Sequence, residues 1–185
     1  MKAILFDMVG VLIFRKEGFT PKTEDEINAL NIEKLYNHVD DQKLLDDIKQ
    51  NLNLNDDQIN RALVQIPAKF ENFSDLWIKL PELKKQYKIA VINNGNALAK
   101  KYWDEKFDFI IFDLFVNSGI EKVRKPDPTI YLLACDRLGI KPEECLFMDD
   151  TLENVKAAEK LGMKTLWWNK ENTKEENLQS FLKLI

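Results

Sequence analysis

Histidine is almost absent from this chain. His38 is the only one among 185 residues, which excludes a multi-histidine metal site and disfavours Ser-His-Asp catalysis. Cysteine is nearly as scarce. Cys135 and Cys145 form no Cys-x-x-Cys pair and sit in apolar sequence, so they read as small core residues. That usage fits a reducing, cytoplasmic setting. Positive charge is not in excess either. Lys and Arg number 27 against 31 Asp and Glu, a net charge of −4, so the general basic footprint of a nucleic-acid binder is missing. No stretch approaches the roughly 20 apolar residues of a membrane span. The opening MKAILFDMVGVLIF carries a Lys and then apolar residues, as a secretory signal does. Asp7 interrupts it and no small-residue cleavage site follows, so a buried strand is the expectation. Internal repeats and low-complexity tracts are lacking too.

What is present is an ordinary globular mixture, 45% hydrophobic and 31% charged. The length suits one domain with a small insert. KAILFD (2–7) is a continuous apolar run ending in Asp, the pattern of a strand buried on both faces. Residues 15–87 are charged and helical in pattern, with helices expected at 23–36, 41–51, 55–66 and 74–87 and no clear strand. Ser74 reads as an N-cap, and Asp56 and Asp57 suit a first helical turn.

From residue 88 the rhythm becomes strand, turn, helix. KIAVIN (88–93), FDFIIF (107–112), CLFMDD (145–150) and KTLWW (164–168) read as strands. Helices are expected at 97–106, 129–138, 152–161 (stopped by Gly162) and from about 174, with a loop at 117–128. This alternation predicts an α/β fold with a Rossmann-like, doubly wound parallel sheet. The expected organisation is a core of residues 1–14 and 88–185 with a small inserted helical cap at 15–87.

Open parallel sheets bind ligands beyond the carboxyl ends of their strands. Asp7, the pair Asn93 and Asn94, and the pair Asp149 and Asp150 all fall at such ends, and Lys125 lies on a loop before Pro126. Three carboxylates brought together repel one another unless a cation neutralises them. A hard, oxygen-ligated Mg²⁺ is the economical choice.

FDMVGVL (6–12), INNGN (92–96), RKPDPTIY (124–131) and FMDDTLENVKAAEKLGM (147–163) together resemble the haloacid dehalogenase superfamily of hydrolases. The similarity is to the subgroup with a small helical cap after the first strand. It covers residues 1–14 and 88–170; the cap resembles the family in position and helicity only. The resemblance implies that Asp7 is a nucleophile, forming an aspartyl-phosphate in the phosphatases. It implies Mg²⁺ on the Asp7 carboxylate, the Val9 backbone carbonyl and Asp150. Asp149 would orient Lys125 or support the metal through water. Lys125 would balance charge on the nucleophile and the phosphoryl oxygens. Asn93 stands where the family places a Ser or Thr that donates to phosphate, and the backbone of Asn94 would add a donor.

Val9 departs from that pattern. The phosphatases carry an Asp there, which protonates the leaving oxygen and then activates water. Val does neither, although its carbonyl still suits a metal. The first reading is therefore a slow Mg²⁺-dependent phosphatase of a small phosphorylated metabolite. The second is a non-catalytic relative that binds a phosphate ligand or a protein. The third is dehalogenase- or phosphonatase-type cleavage, the latter needing a cap lysine such as Lys22, Lys34 or Lys43. Phe14 and Phe19 are expected to help set substrate choice, and Trp77 and Trp103 to close a seam between cap and core.

Overall fold

The computed structural model describes residues 1–36 and 39–185, so His38 lies outside the described residues. Its centre is a five-stranded parallel sheet. The strands are β1 (Ala3–Phe6), β4 (Lys88–Asn93), β5 (Leu114–Asn117), β6 (Cys145–Asp149) and β7 (Lys164–Trp167), in the order β5-β4-β1-β6-β7. β1 sits in the middle and is buried throughout, which is why its sequence is apolar without alternation. Side chains still alternate between faces. Ile4 and Phe6 enter one core, with Leu83 of α5 (Leu80–Gln86) and Phe181 of α10 (Lys174–Leu182). Ala3 and Leu5 enter the other, with Ile130 and Ala134 of α8 (Pro128–Leu138) and Ala158 of α9 (Leu152–Lys160). The sheet is thus covered on both sides, the doubly wound arrangement expected. Cys135 and Cys145 are buried in the second core with sulfurs 3.7 Å apart, as free core thiols.

Between β1 and β4 the chain makes helices α1 (Glu24–Glu33), α2 (Asp41–Leu52) and α3 (Asp56–Ala68). Each start is chemically marked. Thr23 with Glu26, and Asn55 with Gln58, form reciprocal capping boxes, while Asp40 accepts from the N–H groups of Gln42 and Lys43. Asp56 and Asp57 occupy the first turn of α3, as expected.

Several local expectations need correction. Two short strands, β2 (Ile13–Arg15) and β3 (Phe70–Asn72), pair antiparallel at the two ends of the three-helix segment. Three residues are too few for a period-2 pattern to show. The helix expected at 74–87 is two, α4 (Ser74–Trp77) and α5, with Pro81 starting the second. Phe73, not Ser74, is the N-cap of α4. The helix expected from residue 97 begins at Lys100 (α6, Lys100–Lys106), and the loop at 117–128 contains α7 (Ser118–Glu121).

The largest misreading is FDFIIF. Residues Phe109–Ile111 form a 3₁₀ turn, and the strand is the next segment, β5. Phe107, Phe109 and Phe112 are all buried in an aromatic cluster with Trp77, while Ile110 is 87% exposed. Asp113 then engages β4 from both sides, its carboxylate accepting from Ile89 N–H at 2.9 Å and its own N–H donating to Ile89 O at 2.8 Å. Sheet pairing therefore starts one residue after the run that looked like a strand.

Candidate active site

The parallel register builds the site. β1 pairs with β6 from Ala3–Cys145 through Phe6–Met148, so the next residues, Asp7 and Asp149, emerge side by side. Asp7 N–H donates to Met148 O at 2.8 Å and fixes the exit from β1. Asn93 leaves the neighbouring strand β4 on the other side.

Lys125 arrives from the loop between α7 and α8. Its ammonium donates to Asp7 Oδ1 and to Asp149 Oδ2, each at 2.7 Å, with all three residues buried. Asp149 is saturated by Thr151 N–H at 2.8 Å and the Asn154 amide at 3.1 Å. It holds the lysine rather than offering itself outward. Asp150 pairs with Lys170 at 3.0 Å. Carboxylate oxygens of Asp7, Asp149 and Asp150 lie within 4.8 Å of one another.

Gly10 makes this approach possible. Its φ is +97°, and a Cβ there would fall 2.2 Å from Asp150 Oδ2. The loop from Met8 to Ile13 is closed by backbone bonds from Leu12 and Ile13 N–H to Met8 O, both 3.0 Å, and from Gly10 N–H to Ile13 O at 2.8 Å. Its shape does not depend on the side chain at position 9.

Burial is the main influence on Asp7. It pushes the carboxyl up to about 7, against the pull of Lys125 and with added repulsion from Asp149 and Asp150. Lys125 feels the opposite balance. Burial disfavours its charge, but the two carboxylates more than compensate and hold it above the usual lysine range. Lys125 and Lys170 face three carboxylates, so the rim is net negative once all three are ionised. A hard divalent cation suits it, since every convergent donor is oxygen. Asp7 and Asp150 fit that role, whereas the bonds already made by Asp149 fit it to position Lys125.

Cutting Lys125 back to Met leaves two buried carboxylates without their cation. Lys125→Met is expected to lower folding stability by about 3–5 kcal/mol. Urea unfolding at pH 8 measures it. A change too small to resolve would mean that solvent reaches the pair.

All the strand-end residues predicted from sequence are in this region, but two act differently from one another. Asn93 is buried beside Met8 and Val9 at a cleft of about 260 Å³. The Asn94 side chain instead clasps the Lys125 backbone, accepting from its N–H at 2.8 Å and donating to its carbonyl at 2.9 Å. It positions the lysine loop. Val9 is 37% exposed and lines both the smaller cleft and a larger one of about 680 Å³. Phe14 lines the larger cleft and Trp103 the smaller; Phe19 lines neither. Trp77 packs against Phe107, Phe109 and Phe112, its indole N–H donating to Leu12 O at 2.7 Å. Sequence reasoning missed Asn154 and Lys170. The first stands five residues after Asp149, on the strand-facing side of α9, a spacing visible in FMDDTLENV. Lys170 carries no such signal.

The sheet and this rim define a class: a Rossmann-like α/β enzyme domain with a buried strand-end carboxylate held by lysine. Comparison with known proteins gives the family. The haloacid dehalogenase-like hydrolase family matches residues 1–162, and the chain belongs to that family. N-acylneuraminate-9-phosphatase of Rattus norvegicus is 33% identical over 102 residues, covering 52% of this chain and 40% of the relative. The match thus spans less than half of that relative's length. Phosphoglycolate phosphatase of Aquifex aeolicus is 29% identical over 182 residues, covering 90% of this chain and 85% of that protein. Among solved structures, a HAD family enzyme of Bacteroides thetaiotaomicron in complex with magnesium and inorganic phosphate has a TM-score of 0.71. It is 23% identical, covers 90% of this chain and 93% of its own, and shares the fold.

Proposed function

We propose that the chain is a Mg²⁺-dependent phosphatase of a small phosphorylated metabolite, with Asp7 as its nucleophile. The observation that carries this reading is Lys125 bridging Asp7 and Asp149 beside Asp150. Asp7, the Val9 backbone carbonyl and Asp150 would hold Mg²⁺. Bound there, the ion supplies charge neutralisation for the carboxylates and the phosphoryl oxygens. Asp7 attacks phosphorus as the bond to the ester oxygen breaks; the alcohol leaves with a proton taken from solvent, since Val9 supplies none, and water then hydrolyses the aspartyl-phosphate to free Asp7 and phosphate. Lys125 holds Asp7 in line and faces the developing charge. Asn93, with backbone N–H groups of the Met8–Val9 turn and Asn94, donates to phosphate. Residues 15–87 serve as the cap in this reading, and the cysteine usage points to a cytoplasmic setting. Among the described residues, no helix is long and apolar enough to cross a membrane.

Val9 favours a second reading, a relative that binds phosphate and does not turn it over. Three clustered carboxylates argue against metal-free carbon–halogen cleavage. Phosphonate cleavage has no support in Lys22, Lys34 or Lys43, which are exposed and line neither cleft. The deciding experiment is phosphate release from a panel of small esters, with Mg²⁺ and with chelator. Release that stops with chelator and returns with Mg²⁺ supports the proposal. Release indifferent to chelator removes the metal from it, and no release with any ester favours the second reading.

The raised Asp7 pKa has a stability counterpart. In metal-free protein the folded state keeps a proton on Asp7 up to about pH 7, whereas the unfolded chain releases it near 3.8. Between these values the folded state binds more protons, so stability contributed by this group falls as pH rises through the window. Thermal melts in chelator are expected to show that decline, and Mg²⁺ to stabilise most at the upper end. Asp7→Asn removes the dependence. A decline of equal size in that variant would assign it to other groups.

A further inference from the structure

The larger cleft beside Val9 has two walls of different origin. Gly10, Phe14 and Arg15 form one; Trp168, Lys170 and Lys174 form the other. The second wall lies beyond residue 162, outside the stretch that matches the family. It is firmly built. Trp168 N–H donates to Asp149 O at 2.9 Å, the Trp167 indole donates to Asp150 O at 3.1 Å, and the Asn177 amide donates to Asn169 O at 2.8 Å. The cleft therefore opens directly on the rim that holds Asp150. Its volume of about 680 Å³ is in the range of small-molecule sites.

Its charge is uneven. Lys170 is matched by Asp150. Arg15 lies 3.6 Å from Glu33, but that carboxylate is already bound by buried Lys69. Lys174 makes no ion pair among the described residues, and its ammonium sits 4.5 Å over the Phe14 ring. It is also the first residue of α10, where the helix dipole disfavours a cation. A lysine there works against its own helix, and besides Asp150 the only carboxylate lining the cleft among the described residues is Glu175.

We propose that this cleft seats the alcohol part of the phosphate ester, and that Arg15 and Lys174 select esters whose alcohol part carries a second anionic group, a carboxylate or another phosphate. The inference rests on the phosphatase reading above and adds the substrate class. The partly exposed Phe14 ring covers the carbon skeleton between the two anionic ends.

The test uses two ligands whose P–C bond resists hydrolysis, 3-phosphonopropionate and propylphosphonate, titrated calorimetrically into the Mg²⁺-loaded protein. They differ chiefly by the terminal carboxylate. The carboxylate is expected to tighten binding by about fivefold to tenfold at low salt. That ratio should fall in Lys174→Gln and Arg15→Gln, approach one in the double variant, and shrink with added salt. Thermal melts of Lys174→Gln should match or slightly exceed the parent, which separates lost recognition from lost folding. A ratio near one in the parent, or a ratio unchanged in the double variant, overturns the proposal while leaving the phosphatase reading intact. A normal ratio without hydrolysis of any ester upholds the cleft and overturns turnover. Failure to bind either phosphonate overturns both.

Discussion

Val9→Asp is expected to raise phosphate release by about 10²–10⁴, the usual worth of general acid–base help. The site can accept the change. The Val9 side chain faces both clefts and is 37% exposed, so a carboxylate there displaces no packed neighbour. The surrounding loop is held by its backbone bonds, and Arg15 lines the same two clefts. The gain should appear in kcat, with KM little altered, because a proton donor acts on the leaving oxygen in the transition state. It should be larger for alkyl than for aryl esters, whose oxygen leaves without needing a proton. Steady-state rates on matched alkyl and aryl phosphates measure both effects. An unchanged rate, in a variant that folds normally, would show that another group already supplies the acid.

Asp7→Asn is expected to have the opposite and larger effect, a loss on the order of 10⁴–10⁶ in kcat, as when other enzymes lose a nucleophile. The variant should fold well. Asn keeps the size of the side chain and removes a carboxylate whose burial disfavours its charge, while Lys125 retains Asp149. At pH 8 without metal, melting should move upward or stay level. Quenched-flow labelling with a phosphate ester should trap phosphate on the parent and not on this variant. Retention of more than a few per cent of the parent rate would show that Asp7 is not the nucleophile.

Much of the sheet was legible in the sequence. β1, β4 and β6 are buried on both faces, and such strands need continuous apolar runs that end abruptly at polar residues. Those endings marked Asp7, Asn93 and Asp149 as candidates. The three helices before residue 70 were legible from their charged, helical pattern, although the caps that start them, Thr23, Asp40 and Asn55, were not singled out. FDFIIF failed because two different burials, an aromatic cluster and a strand, look alike when residues are adjacent in the chain. The ribbon of β2 and β3 failed because each half pairs with the other across a separation of 55 or more positions.

That position 9 lacks an acid is legible only against the family; the sequence by itself determined the α/β alternation and the residue types at the strand ends. These are local properties, set by side-chain period, caps and turn chemistry. Tertiary structure alone decided what those residues do. Lys125 reaches Asp7 across 118 positions. Asn94 holds the lysine loop rather than lining either cleft, and Lys170 and Lys174 come to face Phe14 and Arg15. Register between parallel strands and the return of the last helix bring these groups together. No short-range pattern carries that information, because the contacts form between segments whose periods are independent.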